Sequence, residues 1–155
     1  MLKLLFVCPT FKSDNPRGVR IENLSRLLTK SMNVDTLYFN EDQRITEKSD
    51  YIMNFGFLSK LAYGSDDLKP KFMPRYFFRF FSRLINYSVK PDFYVLERNK
   101  ILRRIITLNK KNNYDAIILV IYPFSSYMLV NSLKNKVKAK IIGDIGDPLS
   151  FNSAI

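Results

Sequence analysis

MLKLLFVCPTFKSDNPRGVRIENLSRLLTKSMNVDTLYF, residues 1–39, carries the reading of the fold. Leu2 and Leu4–Val7 form a continuous apolar run that stops at Cys8-Pro9-Thr10, as a strand covered on both faces does. Ser13-Asp14-Asn15-Pro16 is loop chemistry. Between Val19 and Lys30, apolar Ile21, Leu24 and Leu28 recur at helical spacing, with Glu22 and Arg26 paired on the outer side. Val34–Phe39 is a second apolar run. A strand–loop–helix–strand opening builds a parallel sheet, and such sheets bind ligands at the carboxyl ends of their strands. The chain is therefore expected to be of the α/β class.

The rest of the chain extends this pattern. Strands are predicted near 3–8, 34–39, 116–122 and 140–143, the third being AIILVIY. Helices are predicted over 19–30, around 52–63, over 74–87, from 93 to 110 and from 125 to 133, the last capped by Ser125 or Ser126. The alternation from Lys134 to Lys140 reads as a solvated turn and strand entry. A chain of 155 residues with 46% apolar content fits one folded domain, with no internal repeat or low-complexity linker.

Composition excludes several chemistries. The absence of histidine removes the commonest general base and zinc ligand, along with every His-dependent triad. With Cys8 as the single cysteine, neither an intramolecular disulfide nor a transition-metal site is expected, and a reducing, cytoplasmic compartment fits best. No cofactor is indicated. The start of the chain does not read as a signal peptide. The longest apolar run, Ala116 to Tyr122, is far below the ~20 residues that cross a bilayer. Acid–base work falls to carboxylates, lysine or tyrosine.

Charge is unevenly spread. Residues 1–67 balance nine Lys/Arg with nine acids, whereas residues 68–155 set sixteen Lys/Arg against five acids and hold the whole net charge of +11. The basic half either attracts phosphorylated or anionic partners or simply keeps the chain soluble. Within it, FMPRYFFRFFSRLINY at 72–87 is amphipathic. Arg75, Arg79, Ser82, Arg83 and Asn86 share one sector, and Phe77, Phe80, Phe81, Leu84, Ile85 and Tyr87 fall opposite. Such a helix either packs its phenylalanines into the core or rests on an anionic membrane through Arg75, Arg79 and Arg83. Nucleic acid is disfavoured, because no nucleic-acid-binding motif accompanies the stripe.

Two places bear candidate chemistry. Gly18 opens the first helix, where a glycine admits close ligand approach and the helix start favours anions, or where it serves the turn alone. Arg17 and Arg20 flank it and suit phosphate or carboxylate. No G-x-G-x-x-G fingerprint is present. In GDIGDP at 143–148, Asp144 and Asp147 leave a strand at the expected ligand edge. One could accept a proton from an attacking hydroxyl while the other caps or orients the loop, or both are turn formers. Tyr122 and Ser125 follow the neighbouring strand and are candidates to line the same cleft. Cys8 reads as a small buried residue.

KLLFVCPTF, Gly18-Val19-Arg20 with Asn23-Leu24 and Leu27-Leu28, Asn113 to Ile118, Pro123 and Ile142 to Pro148 together resemble the N-terminal domain of a GT-B glycosyltransferase, the family 4-like group that includes many bacterial surface-polysaccharide and lipid-linked sugar transferases. The resemblance covers nearly the whole chain in order, through loose matches, with one glycine where many relatives have a pair. It implies a Rossmann-like three-layer α/β/α domain over 1–155 that binds a lipid-linked or saccharide acceptor. The nucleotide-sugar would bind a C-terminal donor domain that this chain lacks, together with its acidic motif. The implied chain is either truncated or partnered by a separate donor polypeptide, inactive alone, and cytoplasmic or peripheral on the inner face of the plasma membrane. The rival expectations are a membrane-docking or scaffolding subunit and a Rossmann-like small-molecule binding module.

Overall fold

The computed structural model describes residues 1–8, 16–39, 50–63, 74–90, 92–121 and 124–145. Five strands, β1 (Lys3–Val7), β2 (Asn33–Phe39), β3 (Asp50–Met53), β4 (Ala116–Val120) and β5 (Lys140–Asp144), form one sheet in the order β3-β2-β1-β4-β5. Every pairing is parallel. The helices are α1 (Pro16–Leu28), α2 (Phe57–Tyr63), α3 (Arg75–Ser88), α4 (Arg98–Asn112) and α5 (Tyr127–Lys134). This is a single Rossmann-like α/β domain.

Alternation along β1 builds two cores. Leu4, Phe6 and Cys8 face one side, packed with Ile21 of α1 and with Val34, Tyr38 and Val120. Leu5 and Val7 face the other, packed with Ile101 and Ile105 of α4 and Leu129 and Leu133 of α5. A strand buried on both faces reads as an unbroken apolar run, which is why β1 and β4 were legible. Cys8 is buried, as expected of a small apolar residue. On α1, Ile21 is buried and Leu28 half-buried, while Leu24 is exposed at the border of that stripe. Glu22 accepts from Arg26 at 2.8 Å on the outer side.

Several boundaries differ from the periodicity. The helix expected around 52–63 is two elements: Asp50–Met53 is edge strand β3, paired with β2 from Thr36↔Asp50, and only Phe57–Tyr63 is helical. The expected helix from 93 begins as a 3-10 turn, Phe93–Glu97, because the Asp92 carboxylate accepts the Tyr94 N–H at 3.0 Å and sets a tight start. It becomes α4 at Arg98 and ends at Asn113, whose left-handed backbone (φ 51°) suits asparagine at a helix end. A second 3-10 turn, Phe124–Ser126, precedes α5, and Ser126 stands at its cap position without a side-chain capping bond. After Lys134 the chain turns through exposed lysines into β5.

One buried charge ties this framework together. Glu97 is 3% exposed, and its Oε1 accepts the N–H of Gly56 at 2.5 Å. The Gly56 carbonyl in turn accepts from Lys60 at 3.0 Å, so the carboxylate sits at the start of α2, where a helix favours negative charge. Lys100 lies 3.7 Å from Glu97 Oε2, and its Nζ also donates to the Asn54 carbonyl.

Candidate functional site at the carboxyl edge of the sheet

The strand order reverses between β1 and β4: β1 leads through α1 to β2 on one side, and β4 through α5 to β5 on the other. Neighbouring strands that send their following helices opposite ways open a crevice at their carboxyl ends, where open α/β sheets bind ligands. The start of α1 and the end of β5 border this crevice.

Arg20, in the second turn of α1, donates from Nη2 to Asp144 Oδ2 at the last residue of β5. The contact passes the carboxyl end of β4, where the Ile121 N–H donates to the Asp144 carbonyl at 2.9 Å. Two sequence-selected residues 124 positions apart are thus in direct contact. Asp144 is half-buried, and Arg20 is exposed. The pair leaves chemistry to spare, since a carboxylate has about four lone-pair sites and a guanidinium five N–H donors. Gly18 lies buried in the first turn of α1, beside this crevice.

The other candidates are placed as follows. Arg17 lies in the same first turn by its backbone. Ser125 is buried, and its N–H donates to Asp92 Oδ2 at 2.9 Å, so it is fixed within the 3-10 turn before α5. Tyr122 and Asp147 lie outside the described residues. Arg75, Arg79 and Arg83 are exposed on α3, away from the crevice in sequence and in element contacts, since α3 packs on α2. Among the described residues, no three His, Cys, Asp or Glu side chains gather to hold a metal ion.

A polar cluster that the sequence reading missed occupies the opposite, amino edge. The Tyr114 hydroxyl donates to Asp35, and Asn112 Nδ2 lies 2.7 Å from the Tyr114 hydroxyl, 3.0 Å from the Tyr51 hydroxyl and 3.3 Å from Asp35 Oδ2. Burial, reinforced by the bond to Asp35, pushes the Tyr114 phenol well above its ordinary pKa and keeps it protonated. Lys3, Asn33, Asp35, Asn112 and Tyr114 contribute to the lining of a cavity of about 350 Å³ there. The Lys3 N–H donates to Asp115 at 2.7 Å and pins the starts of β1 and β4 together. Contacts spanning 61 to 79 residues have no local pattern that would announce them.

No helix among the described residues is long and apolar enough to cross a membrane. Neither protein-family models nor curated proteins give a match to this chain.

Proposed function

We propose that this chain is the acceptor-binding half of a glycosyltransferase, working on the cytoplasmic face of a membrane in the synthesis of surface glycans. The observation that supports this reading is the meeting of Arg20 and Asp144, beside Gly18, at the switch point between β1 and β4. A crevice with a helix start and a guanidinium on one side and a carboxylate on the other suits an acceptor that carries phosphate and a free hydroxyl. In the reaction, the acceptor oxygen bonds to the anomeric carbon of the donor sugar, the bond from that carbon to the nucleoside diphosphate breaks, and the hydroxyl proton passes to a carboxylate. Asp144 is assigned that carboxylate, with Asp147 as the alternative, and Gly18 and Arg20 lie beside the acceptor. Arg17, Tyr122 and Ser125 stay candidates for acceptor binding on their sequence positions alone. In this reading the donor pocket lies outside residues 1–155, so these residues by themselves are expected to bind little nucleotide-sugar and to turn nothing over.

The test is calorimetric titration of the chain with uridine and guanosine diphosphate sugars, beside titration with a polyprenyl-phosphate-linked sugar in detergent. Binding of the lipid-linked sugar alone, weakened by Arg20→Gln, is the expected result. Micromolar nucleotide-sugar binding with turnover by this chain overturns the reading, and so does indifference to both ligands. In the enzyme joined to its donor half, Asp144→Asn or Asp147→Asn should cost about 10²–10⁴-fold in rate. Losses under tenfold in both variants exclude either as the base.

A further inference from the structure

Helix α3 presents three stripes, and the structure settles which of them serves the fold. Phe78 is fully buried and Ser82 nearly so, its hydroxyl donating to the Ala62 carbonyl of α2 at 3.3 Å, with Ile85 half-buried beside them. The phenylalanines expected to choose between core and membrane are therefore not in the core: Phe77 is 54% exposed, Phe80 55% and Leu84 52%, and Phe81 is exposed beside them. Ser82, expected on the outer polar sector, instead holds the helix down. Phe80 and Phe81 meet edge to face at 5.6 Å, and Tyr76 and Phe77 at 6.0 Å, while Phe77, Phe80, Phe81 and Leu84 are spaced three and four residues apart and so share one outer face. Monomeric soluble proteins rarely leave so many large apolar side chains contiguous in water.

The order of side chains around the helix identifies what covers this surface. Projected at about 100° per residue, the sequence runs from Arg75, Arg79 and Arg83 to Tyr76 and Tyr87, and then to Phe80, Leu84, Phe77 and Phe81. Charge, then amphipathic ring, then hydrocarbon is the polarity gradient met on passing from lipid headgroups into acyl chains. No acid stands anywhere on α3. A second copy of this chain meeting it through α3 would bring no acid of its own α3 to these arginines, so self-association there offers them no counter-charge. An anionic bilayer offers phosphates to the arginines and hydrocarbon to the rings.

We propose that α3 is an interfacial docking helix that lays Phe77, Phe80, Phe81 and Leu84 into an anionic bilayer surface, with Arg75, Arg79 and Arg83 on lipid phosphates. The inference is independent of sugar transfer. It needs neither the Arg20–Asp144 crevice nor a donor half, so the two can fail separately.

The experiment uses the full chain and vesicles of phosphatidylcholine, with or without phosphatidylglycerol. Sedimentation should show salt-sensitive binding to the vesicles containing phosphatidylglycerol and little to phosphatidylcholine alone. Replacing Arg75, Arg79 and Arg83 together by Gln should weaken partitioning by about two orders of magnitude. Because the chain has no tryptophan, Phe80→Trp supplies a single reporter whose emission should shift to the blue on anionic vesicles. Phe80→Ser with Leu84→Ser should weaken binding while leaving thermal unfolding unchanged, because both side chains already face outward. Equal binding to both vesicles, binding to neither, or a blue shift that appears with protein concentration in the absence of lipid each overturns the proposal, the last in favour of self-association.

Discussion

The guanidinium of Arg20 holds the carboxylate of Asp144 past the end of β4, joining the first helix of the domain to its fifth strand. The side chains are 52% and 25% exposed. An ion pair so open to water and salt contributes less than about 1 kcal/mol to stability. Arg20→Gln, Asp144→Asn and the double variant should therefore unfold in urea within about 1 kcal/mol of the parent. A loss beyond about 2 kcal/mol from either single change would make the pair a strut of the fold and weaken its assignment to acceptor binding.

Tyr114 makes the stability of the domain sensitive to alkali. Its folded pKa lies above the ordinary value of 10.0, so the folded chain keeps a phenolic proton that the unfolded chain releases. The stability is whole below about pH 10, where both states are protonated, and falls as pH rises beyond it, by up to about 1.4 kcal/mol per pH unit for this one group. Urea midpoints measured from pH 8 to 11.5 should show the decline. Tyr114→Phe should start lower, for want of the bond to Asp35, and decline less steeply. Parallel slopes in the two proteins would refute the assignment.

Glu97 joins two helices through one buried carboxylate. Glu97→Gln keeps the volume but trades one acceptor oxygen for an NH₂ that cannot accept, with a cost of about 1–3 kcal/mol. Gly56→Ala acts on the same bond from the other side, since an added Cβ would stand 3.0 Å from Glu97 Oε1 and displace it. Each variant should lower the urea midpoint, and the double variant should cost less than the two together because the contact can be lost only once. Strict additivity would show that the Gly56 change acts elsewhere.

Neighbouring residues on α3 should respond very differently to truncation. Phe78→Ala opens a void between α3 and its support and should cost about 3–5 kcal/mol. Phe80→Ala removes a ring already in water and should stay within about 0.5 kcal/mol of the parent. Paired thermal unfolding curves measure the contrast, and similar losses at the two positions would mean that the outer face is covered by protein.

Strands β1, β2 and β4 could be read from the sequence because they lie inside the sheet, where burial favours apolar residues. Strand β5, a largely exposed edge strand, was legible only from Ile141-Ile142 closed by Gly143. Strand β3 escaped because it has four residues, lies at the sheet edge and owes its extended form to pairing with Thr36–Phe39. The period of α3 was legible, but its orientation was not. The helix has more apolar positions than seven-residue α2 can cover, and only the packed structure shows that Phe78 and Ser82 were chosen. At the candidate site, the type and edge position of Arg20 and Asp144 could be read from the strand–helix pattern. Their contact could not, because it depends on how far α1 leans toward β5. The Asp35–Asn112–Tyr114 cluster gave no sign for the same reason.

The place of β1 at the middle of the sheet also sets a timetable for synthesis. Its partner on one side begins at Asn33, but its partner on the other begins at Ala116, paired with Leu4 across 112 positions. At roughly 5–20 residues per second, a ribosome needs about 6–20 s to supply that second neighbour. Through this interval the apolar run Leu4–Val7 offers an open backbone edge, a template for pairing with any other nascent strand. A chaperone that holds extended apolar segments should meet this protein early, and should release it once β4 has emerged.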